Sequence, residues 1–138
     1  MKKLFLFCLF FVCVSVCAQE LHRVVSLKTL NGGAVVLQRD EGEYKLRMRG
    51  SHNYFFVCLG VKSEAVKTLM YLSDLKLGRE DYVILKNEQE TMVRKGPFGG
   101  HALYDVLHLE YCVITRSQAG KLAKIVENDK DDVPIEGE

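Results

Sequence analysis

A set of residues recurs along this chain at a spacing of 54. Cys58, Ser63, Ala65 and Lys67 are matched by Cys112, Ser117, Ala119 and Lys121, and Lys62 is matched conservatively by Arg116. The positions between them keep their character. Ala65, Leu69 and Leu72 map onto Ala119, Ala123 and Val126, apolar residues at helical spacing. Upstream, residues 35–43 resemble residues 83–90 with one deletion, and Gly50 pairs with Gly96. A chain that repeats its order of strand and helix signals is expected to build one supersecondary unit twice. The second half also carries an eight-residue insertion, around 96–107.

The period along each half supplies the elements. Residues 23–28 read as a leading strand, Asn31-Gly32-Gly33 as a turn that accepts positive φ, and 34–38 as the next strand. Across 44–49, Tyr44, Leu46 and Met48 alternate with Lys45, Arg47 and Arg49, the pattern of a half-buried strand. Residues 54–59 are apolar on both faces and read as a central strand. Ser63 is the expected N-cap of a helix that Gly78 stops, with Glu64 in its first turn. In the second half, 82–86 and 90–95 read as a hairpin around Asn87-Glu88-Gln89. A long strand follows, clearest over 107–114, and Ser117 is the expected cap of a second helix. The predicted class is α+β, with a mainly antiparallel sheet and both helices on one face. The organisation is two tandem β-β-β-α units, about 34–78 and 81–128, after the leading strand.

The first 18 residues read as a separate signal. Met1-Lys2-Lys3 is a basic start, Leu4 to Val16 is an apolar run of 13 residues broken only by Ser15, and Ala18 is a small residue at the expected cleavage point. The run is shorter than the ~20 residues of a spanning helix. Lipidation at Cys17 is the weaker alternative, because Val16 stands where a small residue is expected. The expected destination is therefore outside the cytosol, periplasmic or extracellular, in a bacterial envelope. Cleavage would remove two of the 19 basic residues and none of the 18 acidic ones, leaving a net charge of −1. That balance gives no general attraction to nucleic acid. No later segment is long and apolar enough to span a membrane. Residues 19–128 are expected to form one α+β domain, and 129–138, acidic and without apolar period, a disordered tail.

Several residue sets invite a chemical reading. Lys45, Arg47 and Arg49 place three cations on one strand face, able to meet an acidic protein or glycan. They also suit an ordinary solvated sheet face. The segment Gly96-Pro97-Phe98-Gly99-Gly100 lies in the insertion and holds an aromatic residue among glycines, so Phe98 and Gly99 are candidate contacts. His101, Asp105 and His108 would share a face on a helix and could then ligate zinc. On a strand, His108 points away from the other two. Cys58 and Cys112 are left after signal cleavage and form either one disulfide or two buried thiols. No catalytic set is apparent and no cofactor is expected. The expected function is a non-enzymatic module that binds a protein or glycan of the envelope. The alternatives are a small metal-dependent hydrolase using His101, Asp105 and His108, and an inhibitor that inserts the 96–100 loop into a partner.

Overall fold

The structure, a computed structural model, describes residues 24–130 except 88, 89 and 108. The chain forms two four-stranded antiparallel sheets and two helices, an α+β fold. The first sheet is the meander β1 (Val24–Leu30), β2 (Val35–Asp40), β3 (Glu43–Arg49) and β4 (Tyr54–Val61), followed by helix α1 (Lys62–Asp74). The second is the meander β5 (Tyr82–Leu85), β6 (Thr91–Lys95), β7 (His101–Asp105) and β8 (Glu110–Ile114), followed by α2 (Arg116–Asn128). Both helices have 13 residues, and their bounds differ by 54 at each end.

Alternation places the core. Val35 and Leu37 of β2, Leu46 and Met48 of β3, and Val57 and Leu59 of β4 point inward. They join Val93, Leu103, Cys112 and Ile114 of the second sheet in one hydrophobic cluster. Each helix contributes a single stripe to it: Ala65, Leu69 and Leu72 from α1, and Ala119, Leu122, Ala123 and Val126 from α2. The helices run antiparallel, with Lys62 at the start of α1 beside Asp129 after α2, and Arg116 at the start of α2 beside Ser73 near the end of α1. Gly120 allows the close approach, since a Cβ there would lie 3.1 Å from Ser73 Oγ.

Several sequence expectations need correction. The halves do not share one sheet. The long strand expected after the 96–100 loop, clearest over 107–114, is instead the hairpin β7–β8, with Val106, Leu107 and Leu109 on its turn. Apolar alternation continues through that turn, which made it look like one strand. The insertion is thus mostly β7, so the second unit has four strands. The 54–59 strand is an edge strand. It is apolar on both sides because Phe55 and Val57 enter the core while Tyr54 and Phe56 lie under cations on the outer face.

The helix caps also differ. Strand β4 runs to Val61 and α1 starts at the next residue, so Val61 is the N-cap, without a side-chain hydrogen bond, and Ser63 lies inside the first turn. Helix α2 is capped by Thr115, whose hydroxyl accepts from Gln118 N at 3.0 Å while Gln118 Oε1 accepts from Thr115 N at 2.9 Å. Ser117 is exposed in the first turn.

At the other end, Asp129 does not belong to a disordered tail. Its carboxylate accepts from Arg39 Nη1 at 2.6 and 2.8 Å and from Tyr44 OH at 2.8 Å. Residues 1–23 and 131–138, which hold the expected signal segment and the remainder of the acidic tail, lie outside the described residues. No helix among the described residues is long and apolar enough to cross a membrane.

Candidate binding site

The segment joining β6 to β7 is a closed hairpin loop. Gly96 N donates to Gly100 O at 2.8 Å, and Gly100 N donates to Pro97 O at 3.0 Å. These bonds hold Pro97–Gly99 in a short 3-10 turn, with Pro97 supplying its fixed φ at the start. Phe98 sits at the apex with φ 57° and ψ 34°, in the left-handed region that disfavours residues with a Cβ. Its side chain is 99% exposed. A large apolar side chain standing free on a strained backbone gains nothing for the isolated fold. Such conformations cost of order 1–3 kcal/mol and concentrate where a ligand or partner is met.

The base of this loop adjoins the outer face of the second sheet. A Cβ on Gly96 would lie 3.2 Å from Ala102 N and 3.3 Å from Val113 Cγ1. On that face, Ile84, Met92, Tyr104 and Tyr111 form one row across the four strands, and Tyr82, Arg94, Ala102 and Val113 form the next. The Tyr104 and Tyr111 rings stack with centroids 5.1 Å apart. Arg94 is the one charged residue among these eight positions. Sequence reasoning missed this face, because its contributors come from four short strands and no single strand is conspicuous. The stagger of Tyr82, Ile84, Met92 and Arg94 at period 2 was the available signal.

The cationic stripe faces outward from β3, as expected, but is engaged within its own sheet. Lys45 Nζ lies 4.7 Å from the Phe56 ring centroid and 3.8 Å from Asp40 Oδ2. The Arg47 guanidinium lies 4.9 Å from the Tyr54 centroid. Val36 and Gln38, directly across from Arg47 and Lys45, are buried, which fits the long side-chain stems lying over them. Arg49 remains exposed at the strand end. Arg39 belongs to the opposite face, against Asp129.

Of the candidate zinc trio, His101 and Asp105 are among the described residues. His101 and Asp105 stand at the two ends of β7, roughly 13 Å apart at strand rise. His101 is buried and directs Nε2 to Leu72 O at 2.7 Å, while Asp105 Oδ1 accepts from Leu107 N at 3.2 Å. His108 lies outside the described residues, and no group of three His, Cys, Asp or Glu among the described residues is placed to hold a metal ion. Cys58 and Cys112 are thiols and do not form a disulfide. Cys112 Sγ lies 3.7 Å from Ala34 O, and burial pushes its thiol up from the usual range, which makes it a poor nucleophile.

At the other end of the second sheet, Glu110, the first residue of β8, is tied to the β3–β4 turn. It accepts from Ser51 Oγ at 3.0 Å and from His52 N at 3.2 Å. Burial raises its carboxyl, but the hydrogen bonds from His52 and Ser51 outweigh this and hold it below the usual range. This is a structural anchor between the sheets. No family model, no curated protein and no solved structure matches the chain.

Proposed function

We propose that this protein is a non-enzymatic binding module that uses Phe98 as an anchor in a pocket of a protein partner. The outer face of the second sheet supplies the surrounding contact. The observation that carries the reading is the Phe98 loop: a ring 99% exposed on a left-handed backbone, held in place by two loop-closing hydrogen bonds. Burying such a ring would return about 1.5–3 kcal/mol. The loop's fixed shape lowers the ordering cost of association. The adjoining rows of Ile84, Met92, Tyr104 and Tyr111 resemble the aromatic, charge-poor centre of protein interfaces. The lysine and arginine stripe is a weaker candidate, because Lys45 and Arg47 already have partners in their own sheet.

The reading includes export to a bacterial envelope, supported by the basic start, the 13-residue apolar run and Ala18. It also includes an origin by tandem duplication, supported by the common strand-strand-strand-strand-helix order and the 54-residue offset of both helices.

The test uses immobilised wild type, Phe98→Ala and a Lys45/Arg47/Arg49→Glu triple variant against envelope extract, followed by titration of the purified captured protein. Phe98→Ala should weaken that binary complex about tenfold or more with an unchanged melting temperature. Loss only in the triple variant would move the site to the first sheet. Undiminished binding by every variant would reject both surfaces.

A further inference from the structure

A pocket of about 190 Å³ lies at the foot of the Phe98 loop. Four elements supply its polar walls: Lys76 follows α1, Lys95 ends β6, His101 begins β7 and Arg116 begins α2. Gly99 and Gly100 of the loop line it as well, and neither Asp nor Glu does. The charged residues that line it are thus all cationic.

His101 adds a second, independent observation. The residue is 2% exposed. Its Nε2 faces the Leu72 carbonyl oxygen, which can only accept, so Nε2 carries the hydrogen. Nδ1 is then an acceptor in the neutral ring, and it is buried with no hydrogen-bond partner. A buried polar atom left unpaired costs about 1–3 kcal/mol and calls for an explanation. Protonated, the same nitrogen becomes a donor. Arg116 commits Nε to Ser73 O at 3.1 Å, one of the five donors on its guanidinium. The site therefore combines fixed cations with a buried imidazole that can turn from acceptor to donor.

We propose that this pocket binds one small oxyanion, held by Lys76, Lys95 and Arg116, with the buried imidazole of His101 at its wall. Carboxylate and sulfate-like groups share the required chemistry: compact negative charge and acceptor oxygens. Binding takes up one proton from water onto His101. In the empty pocket, burial and the Arg116 charge hold His101 below its usual value, against the opposing effect of the Leu72 hydrogen bond. Lys76, Lys95 and Arg116 are the charged groups lining the pocket with it, and an anion among them favours the imidazolium. Affinity consequently rises as pH falls toward the acid side of neutrality. Because Gly99 and Gly100 line the pocket, an occupied site also braces the Phe98 loop against both helices. This inference does not depend on Phe98 meeting a protein.

Calorimetric titration of the full chain with sodium sulfate and with sodium acetate tests it, at pH 5.5 and 7.5 and constant ionic strength in chloride. Sulfate keeps its charge over this range, so its pH dependence reports the protein. The His101 ring resonances locate the site. Wild type should bind at pH 5.5 with a shift of the His101 signals, and more weakly at 7.5, by up to about tenfold per pH unit for one proton. The Lys76→Gln/Lys95→Gln variant alters exposed residues and should keep its melting temperature while losing about tenfold or more in affinity. Binding of sulfate alone would assign a tetrahedral oxyanion, and binding of acetate as well would bring a carboxylate of a chain end or side chain within the class. Absence of heat and of His101 shifts with both anions at pH 5.5, or equal affinity in the double variant, would overturn the proposal.

Discussion

Lys62 and Arg116, 54 positions apart, make reciprocal contacts. Each is the first residue of its helix, and each donates to a backbone carbonyl at the end of the other: Lys62 Nζ to Asp129 O, and Arg116 Nε to Ser73 O. The last carbonyls of a helix have no partner within it and carry its negative pole, so a cation there both bonds and offsets the dipole. The antiparallel helix pair is therefore tied at both ends by one device used twice. Lys62→Met keeps the apolar stem and removes the donor. It should cost about 1–2 kcal/mol in urea unfolding. A stability equal to wild type would show that the contact contributes nothing net.

Asp129 gives a pH signature. Burial raises its carboxyl, but hydrogen bonds from Arg39 and Tyr44, with the charges of Arg39 and Lys62, outweigh this and hold it below its ordinary value of 3.8. Its folded-state value is depressed, so its contribution is complete above about 3.8 and is lost as pH falls through the lowered value. The Arg39 and Asp129 side chains are only 11% and 12% exposed, so removing one partner strands the other. Asp129→Asn should destabilise by about 3 kcal/mol near pH 6, with the gap to wild type closing below pH 3.8. A gap that stays constant down to pH 2 would refute the ionic account.

The two helix starts predict unequal cap effects. Thr115→Ala removes a capping box and should cost about 1 kcal/mol. Ser63→Ala and Ser117→Ala touch neither cap and should stay within about 0.5 kcal/mol. Thermal melts of the three variants side by side decide the matter, and an equal loss in all three would contradict the assigned caps.

Leu69 is fully buried between α1 and the core cluster. Leu69→Ala should cost ~2–5 kcal/mol through lost transfer energy and a residual cavity. An unchanged melting temperature would mean that this stripe is not core.

Gly50 is required for a close approach. A Cβ there would lie 2.2 Å from Glu110 Oε1 and 2.7 Å from Glu110 Cβ. Gly50→Ala should therefore destabilise by about 1–3 kcal/mol by overpacking. Glu110→Ala removes both the clash and the anchor, so the double variant Gly50→Ala/Glu110→Ala should lose clearly less than the sum of the two single losses; strictly additive losses would point elsewhere.

Features that depend on local period and local chemistry were legible in the amino-acid order alone. Tyr44, Leu46 and Met48 against Lys45, Arg47 and Arg49 fixed the two faces of β3, because side chains alternate on any strand. The stripe of Ala65, Leu69 and Leu72, repeated 54 residues later, fixed the two helices and their buried sides. The aromatic among glycines at 96–100 marked a loop whose ring, alone among the described aromatic residues, stands almost wholly in solvent. Tertiary structure decided the rest. Apolar alternation alone cannot distinguish a long strand from a hairpin whose turn exposes Leu107 and Leu109, so β7 and β8 were fused. The separation into two sheets depends on which strands pair, and pairing energy is non-local. Asp129 looked like the start of a tail because its partners, Arg39 and Tyr44, are 90 and 85 residues away. The pocket around His101 was invisible for the same reason: Lys76, Lys95 and Arg116 meet it only when helices and sheet close on a shared core.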